Sequence, residues 1–458
     1  MTIKEARVRL KKMEISPLEL VKVCKAQFEE KHDINAFITP MYDEALKDAE
    51  KLINFDDYKP LWGIPIAIKD NIAIKGVRLT CGSKILASYK SLFDATVIEN
   101  LKKAGAIVVG KTNMDEFAMG SSGEYSAFGS TKNPLDRSLV PGGSSSGSAA
   151  SVAAGMALGS LGSDTGGSVR QPAAFCGLVG IRPTYGTVSR YGLVAFASSV
   201  DQIGPIGTSV EDAALLLNVI RSYDKNDSTS VEFLDSNVPK MNEIRIGIPV
   251  ELEELPIQNE IKTKLEEAKK ILEQAGAKFV KISLPSLKYS ISTYQLITPS
   301  ECSANLARFD GVRYGLQVSS DNLSTQYKKT RSEGFGSEVT RRILVGTYAL
   351  SEGFFDAFYL QACRMRAKIS HELYETLSIC HAILTPTTPT TAFTLDSVQD
   401  PLDMYACDML TIPQGLAGIP AISVPFGKDT KGRPIGIQLS GPAFSENILI
   451  ELGKVLEE

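Results

Sequence analysis

The feature that most restricts the fold is the stretch VPGGSSSGSAASVAAGMALGSLGSDTGGSVRQPAAFCG, Val140 to Gly177, in which glycine, serine and alanine outnumber all other residues. Side chains this small cannot fill a core. The segment is therefore a flexible linker, a phosphate-binding loop, or a place where backbone and hydroxyl groups must come close to a substrate. Val152, Met156, Leu158 and Leu161 recur among the alanines at near-helical spacing, which argues against a linker and predicts a packed helix. No G-K-[ST] follows a glycine-rich turn here, and Gly155 to Gly159 does not match G-x-G-x-x-G, which argues against phosphate binding.

The flanking chain alternates helix and strand patterns. Residues 4–51 repeat apolar side chains near every 3.6 positions, so residues 1–60 are expected to form a mainly helical N-terminal part of one domain spanning 1–458. WGIPIAIKDN then switches to period two, with Ile64, Ile66 and Ile68 on one face and Pro65, Ala67 and Lys69 on the other. A helix ending near Gly105 and a buried strand, Ala106 to Val109, follow. Beyond the small-residue stretch come an amphipathic helix in EDAALLLNVIRSYD and a polar surface loop, Lys225 to Met241. IRIGIPVE, a helix over Ile257 to Gln274, and KFVKISLP read as strand, helix and strand, before a long helical region from Glu338 to about Ser378. HAILTPTTP, PAISVPFG and PIGIQLSGP are three proline-bounded strands before a closing helix. The fold class is α/β, a large mixed sheet covered by helices.

Composition excludes several functions. The formal charge of −4 is small and the Lys and Arg residues are dispersed, so any nucleic acid is expected on a partner. Seven cysteines, an odd number without a C-x-x-C pair, argue against a disulfide framework and a zinc site and for a reducing compartment. No signal peptide is evident, and Ala149 to Leu161 is too short and too rich in Gly and Ser to span a bilayer. A cytoplasmic location is expected, an organellar one remaining open because the first twelve residues are basic and amphipathic.

GSSSG, Gly143 to Gly147, formally matches a nucleophile elbow centred on Ser145, but a proline-bounded polar loop precedes it and the chain has only His32, His371 and His381 to complete a triad. Without histidine, lysine is the alternative base. A lysine in apolar surroundings loses the hydration that favours its charge, and Lys69, ending an isoleucine-rich strand, fits that description. In GSDTGGSVRQP, the glycines beside Thr165 allow successive N–H groups of Thr165, Gly166 and Gly167 to point into one concavity. Ser168 then carries a nucleophile and oxyanion donors within one turn.

Together, GIPIAIKDN, PGGSSSGSAA and SDTGGSVRQPAAFCG resemble the signature of the amidase signature family. The resemblance implies a single α/β domain with a mixed central sheet covered by helices on both faces, and amide hydrolysis by a Ser, cis-Ser, Lys triad. On matching positions Ser168 is the nucleophile, Ser144 the bridging serine after a cis peptide, and Lys69 the base. The serine cluster departs from the usual pattern at Ser146, where the family often has glycine. AGAIVVGKTNMDEFAMGSSGE, SRYGLVAFASSVDQIGPIG and DPLDMYACDMLTIPQGLAGIPAISVPFG extend the resemblance, over nearly the whole chain, to the branch serving as the glutaminase component of tRNA-dependent amidotransferases. That branch implies glutamine as substrate and ammonia as product. It also implies a heterotrimer with B-type and C-type subunits, ATP and Mg used on the B-type partner, aminoacyl-tRNA met only through that partner, and no metal or cofactor in this chain. Arg342 and Asp408 are the implied partners of the glutamine α-carboxylate and α-amino groups; Arg341 points about 100° away on the same helix, so only one arginine should face the site. A free-standing amidase, a non-catalytic scaffold and an α/β-hydrolase esterase are the competing readings.

Overall fold

In the computed structural model, which describes residues 1–234 and 236–458, eleven strands form one sheet. They are β1 (Phe37–Pro40), β2 (Pro65–Lys69), β3 (Ile107–Thr112), β4 (Gly159–Asp164), β5 (Val179–Arg182), β6 (Gln202–Gly207), β7 (Arg245–Pro249), β8 (Lys278–Ile282), β9 (Ala382–Pro386), β10 (Ala421–Lys428) and β11 (Pro434–Ser440). Their order is β1-β3-β2-β4-β6-β5-β10-β11-β9-β7-β8. β2 runs parallel to β3 and β4, and β7 to β8 and β9; the other neighbours pair antiparallel, so the sheet is mixed as the sequence predicts.

β2 is buried along its whole length. Ile66 and Ile68 pack into a core with Ile98, Leu161 and Leu216 on one face, whereas Ala67 joins Val21, Tyr42, Val109 and Ala150 on the other. By alternation Lys69 shares the Ala67 face.

The small-residue stretch has a packing reason. The helix Ser146–Ala153 lies against β2, β3 and β4, and a Cβ at Gly147 would meet Asn113 N at 2.6 Å. Its serines bond to the sheet: Ser148 Oγ lies 2.8 Å from Thr112 Oγ1 and donates to the Leu161 carbonyl. Large residues would hold this helix off the sheet.

Two expectations are corrected, and one gains a detail. The helix predicted through Val152, Met156, Leu158 and Leu161 stops at Ala153, because the chain turns at Gly155 (φ +75°), and Leu161 lies in β4. Serines and glycines in β4 mask its period-two pattern. The helical N-terminal part, with helices Ile3–Lys11, Pro17–Glu30 and Tyr42–Glu50, also contributes the edge strand β1. The long helical region is two helices, Ser337–Ala349 and Tyr359–Ile379, separated by turns. The predicted loop from Lys225 to Met241 has no strand among its described residues; Asp235, within it, lies outside them.

Asp70 follows Lys69, yet the alternation sends it to the opposite face, where its Oδ1 accepts from Lys111 Nζ at 2.8 Å and its Oδ2 from Thr80 N. Both charges are fully buried. Lys111→Met should therefore cost about 3–5 kcal/mol by leaving the carboxylate unpaired, and Lys111→Met with Asp70→Leu should cost less than Lys111→Met alone. Denaturant midpoints of the three proteins check this, and equal or greater loss in the double variant would contradict it.

Candidate active site

Lys69 is fully buried at the end of β2. Its Nζ lies 2.7 Å from Ser144 Oγ, 2.9 Å from Ser163 Oγ and 3.2 Å from the Ser163 carbonyl. Ser163 Oγ also accepts from Asn71 Nδ2 at 2.9 Å. A neutral amine has two N–H bonds and one lone pair; with both N–H bonds directed at Ser163, the lone pair faces the Ser144 hydroxyl. Burial pushes the amine down to about 7, against the opposing pull of Asp115, Asp164 and Asp201. Lys69 forms no ion pair among the described residues.

Ser144 is fully buried and follows a cis Gly143–Ser144 peptide. Gly143 N donates to Gln171 Oε1 at 2.9 Å, Asp115 N donates to the Ser144 carbonyl at 3.2 Å, and Ser145 N donates to the Ser168 carbonyl at 3.2 Å. The last bond ties the two serine loops together. Ser168 sits in the turn between β4 and the helix Arg170–Phe175, and at 9% exposure it is the one member of the expected triad at the surface of the site. Its Oγ bonds to no protein atom among the described residues, Ser144 Oγ included.

Asp164 shapes that turn. Arg170 Nε and NH2 each donate to its carboxylate at 2.9 Å, and Arg182 NH1 is 3.1 Å from Oδ1. Burial alone would raise its pKa, but these two guanidiniums hold it well below the usual carboxylate range. Gly167 N donates to Asp164 Oδ1 at 3.0 Å, so this N–H, expected as an oxyanion donor, is already engaged. The N–H groups of Thr165, Gly166 and Ser168 have no partner among the described residues. Gly166 packs on Tyr294, which a Cβ there would approach to 2.9 Å.

Arg342 and Arg341 separate as their spacing requires: the Arg342 side chain is 5% exposed, that of Arg341 44%. Arg342 Nε donates to Glu338 Oε1 at 2.7 Å, and its guanidinium lies 5.4 Å from the Phe196 ring centroid and 5.3 Å from that of Tyr405. Its NH1 and NH2 groups have no protein partner among the described residues. Asp408 accepts from Ser121 Oγ through Oδ2, while its Oδ1 is buried without a partner. Burial pushes Asp408 up to about 7, with Ser121 and Arg342 pulling the other way. Thr411, in the same turn, donates to the Gly166 carbonyl at 2.6 Å, which seats Asp408 beside the Ser168 turn.

The alternatives fare differently. Ser145 Oγ is buried against the Ser163 backbone. His32 faces the Glu29 carbonyl, His371 is exposed beside Glu375, and His381 Nδ1 accepts from Arg245 N, so none of them meets a serine of the cluster. Sequence reasoning missed Ser163, Asn71, Asp115, Gln171, Ser121 and Tyr294. Arg170 and Gln171 stand two and three places after Ser168, but nothing in the pattern marks Ser121 or Tyr294, which arrive from other loops and helices. Among the described residues no group of three or more His, Cys, Asp or Glu could hold a metal, and no helix is long and apolar enough to cross a membrane.

A mixed sheet that delivers a buried lysine and two serine loops to one point, with no histidine beside them, fits the class of amide-cleaving enzymes. The amidase family model matches residues 19–450, and the chain belongs to that family. It is 51% identical, over its full length and 97% of the relative, to the A-type subunit of glutamyl-tRNA(Gln) amidotransferase from Halothermothrix orenii. It is 53% identical to the corresponding Thermotoga maritima protein over 87% of this chain and 84% of the relative. The crystal structure of that Thermotoga protein superposes with a TM-score of 0.83 at 45% identity, covering 100% of this chain and 94% of that one. The native peptide amidase of Stenotrophomonas maltophilia gives 0.83 at 27% identity, covering 100% and 96%.

Modification of Ser168 by a sulfonyl fluoride is expected to rise with pH about a midpoint near 7, since below it Lys69 is protonated and offers no lone pair. Lys69→Met should flatten that profile and slow modification at least about 100-fold. A wild-type rate independent of pH from 5.5 to 9 would contradict the assignment.

Proposed function

We propose that the chain is the glutamine-hydrolysing, A-type component of a tRNA-dependent amidotransferase, acting through Lys69, Ser144 and Ser168. Neutral Lys69 takes the Ser144 proton, and Ser144 takes that of Ser168 as Ser168 Oγ attacks the γ-carbonyl carbon of glutamine. The Ser144–Ser168 hydrogen bond, not made in the free protein, forms in the substrate complex. The N–H groups of Thr165, Gly166 and Ser168 hold the oxyanion; Gly167 serves by keeping Asp164 in place. Collapse breaks the C–N bond, Ser144 returns a proton to the departing nitrogen, and ammonia leaves. Water, deprotonated through the same relay, then cleaves the glutamyl ester on Ser168 and releases glutamate.

One observation carries the choice of substrate: a buried, unpartnered carboxylate oxygen on Asp408 and the unengaged end of buried Arg342 flank the nucleophile turn. An α-amino acid brings one cation and one anion, which matches that pair and gives a simple aliphatic amide nothing to bind. Full-length similarity to the amidotransferase relatives supports the same reading over a free-standing amidase. The ammonia passes to a B-type partner, which uses ATP and Mg to amidate Glu-tRNA(Gln) or Asp-tRNA(Asn), with a small C-type partner completing a heterotrimer in the cytoplasm. Co-purification with these B-type and C-type partners and glutamine-dependent amidation of misacylated tRNA test this directly; a scaffold reading predicts that Ser168→Ala leaves ammonia release intact.

The pH profile of ammonia release separates the roles. In free enzyme, lowering the pH through 7 protonates both Lys69 and Asp408, so log kcat/KM should fall with a slope approaching two. Bound glutamine keeps Asp408 ionised through its ammonium, so log kcat should fall with a slope of one. Asp408→Asn should raise KM about 10–100-fold and reduce the kcat/KM slope to one.

A further inference from the structure

Gln171 is a fully buried amide that the proposed chemistry does not use, and both ends are committed. Its Oε1 accepts from Gly143 N at 2.9 Å, and its Nε2 donates to the Ser121 carbonyl at 2.6 Å. The second bond fixes which end of the amide faces which loop, because a carbonyl can only accept. Gly143 N belongs to the residue whose cis peptide presents Ser144, and Gln171 lies three residues after Ser168 in the short helix that begins at Arg170. Ser121 in turn donates through its hydroxyl to Asp408. One side chain thus touches the relay loop and the substrate loop, while its backbone follows the nucleophile turn and donates to the Gly167 carbonyl at 2.8 Å.

The fit leaves no slack. A Cβ at Gly142 would meet Pro172 Cα at 2.8 Å, and one at Gly143 would meet Ser122 N at 2.9 Å and run into the Asp115 carboxylate. The loop from Gly142 to Ser144 is thereby pressed between Gln171 and Asp115, and the Gln171 bond sets its height above the nucleophile turn. A relay through two hydroxyls needs both oxygens at hydrogen-bond reach at the moment of attack, and Ser144 has Lys69 on one side only.

We propose that Gln171 is a positioning residue: by holding Gly143 N it sets Ser144 Oγ where it can take the Ser168 proton, without touching substrate. This rests on the relay reading above. Losing the bond slows acylation and leaves Lys69 as buried as before.

Purified protein carrying Gln171→Met, which keeps the side-chain length and removes both hydrogen bonds, tests the proposal. The readout is inactivation of Ser168 by a sulfonyl fluoride across pH, alongside glutamine hydrolysis. The rate constant for inactivation should drop about 100-fold while its midpoint stays near 7, because the lysine keeps its surroundings. Gln171→Glu, which when protonated reproduces both bonds, should at pH 6 stay within about tenfold of wild type. Inactivation by Gln171→Met at an unchanged rate would overturn the proposal. So would a midpoint moved towards that of free lysine, which would mean that the site had opened to water, and so would a Gln171→Glu protein as slow at pH 6 as Gln171→Met. Sulfonyl fluoride inactivation does not depend on the natural substrate, so wild-type protein that is labelled but does not hydrolyse glutamine would count against the substrate reading alone.

Discussion

The proposed relay depends on keeping one amine dry and without a counter-ion. A buried lysine with a carboxylate at hand would be held charged, and a charged ammonium cannot accept a proton. Asp115, Asp164 and Asp201 lie close enough to act on Lys69, and each, like the adjoining Asp70, is committed elsewhere. Asp70 is turned to Lys111 across the sheet. Asp164 is saturated by Arg170 and Arg182. Asp115 accepts from the N–H groups of Gly123 and Tyr125, and Asp201 from Thr165 Oγ1 and the N–H groups of Phe196 and Ala197. Burial also pushes Asp115 and Asp201 up to about 6, which weakens their hold on the lysine below neutrality. What remains near Nζ is hydroxyl and carbonyl oxygen.

The same economy explains the residue types. Each of these carboxylates also orders a loop: Asp115 the turn at Gly123, Asp164 the turn at Ser168, Asp201 the chain around Phe196, against whose ring Arg342 lies. Hydroxyls and glycines crowd the centre because only they let three loops and a helix meet at hydrogen-bond distance. Gly167 illustrates the trade: its N–H is one of those expected to hold an oxyanion, yet with φ +137° it turns that group back onto Asp164.

Much of this was legible in the sequence, for identifiable reasons. Strands β2, β3 and β7 to β11 have side chains large enough to display a period, and Lys69 is visible because it terminates one of them. The runs around Ser144 and Ser168 are too unusual for core or linker, but the choice of Ser144 within its serine cluster came from the family resemblance. β4 was not legible, since alternating serine and glycine carries little apolar contrast, nor was β1, four residues long between helices. The resemblance pointed to Arg342, while helix geometry required only that one of the two arginines face inward, and Arg342 is the buried one. Ser121, Gln171 and Tyr294 act through where the chain brings them, and no local pattern encodes that.

Arg170 closes the Ser168 turn with atoms from far along the chain: it donates to Gln438 Oε1 at 2.8 Å, Gln414 Oε1 at 3.2 Å and the Thr411 carbonyl at 2.8 Å. β5, which follows that turn, completes its pairing only with β10. A nascent chain leaving the ribosome thus has its lysine and both serines outside long before the struts that align them have been made. Until residues 411–438 have been made, the turn that carries Ser168 lacks the partners that Arg170 takes from them.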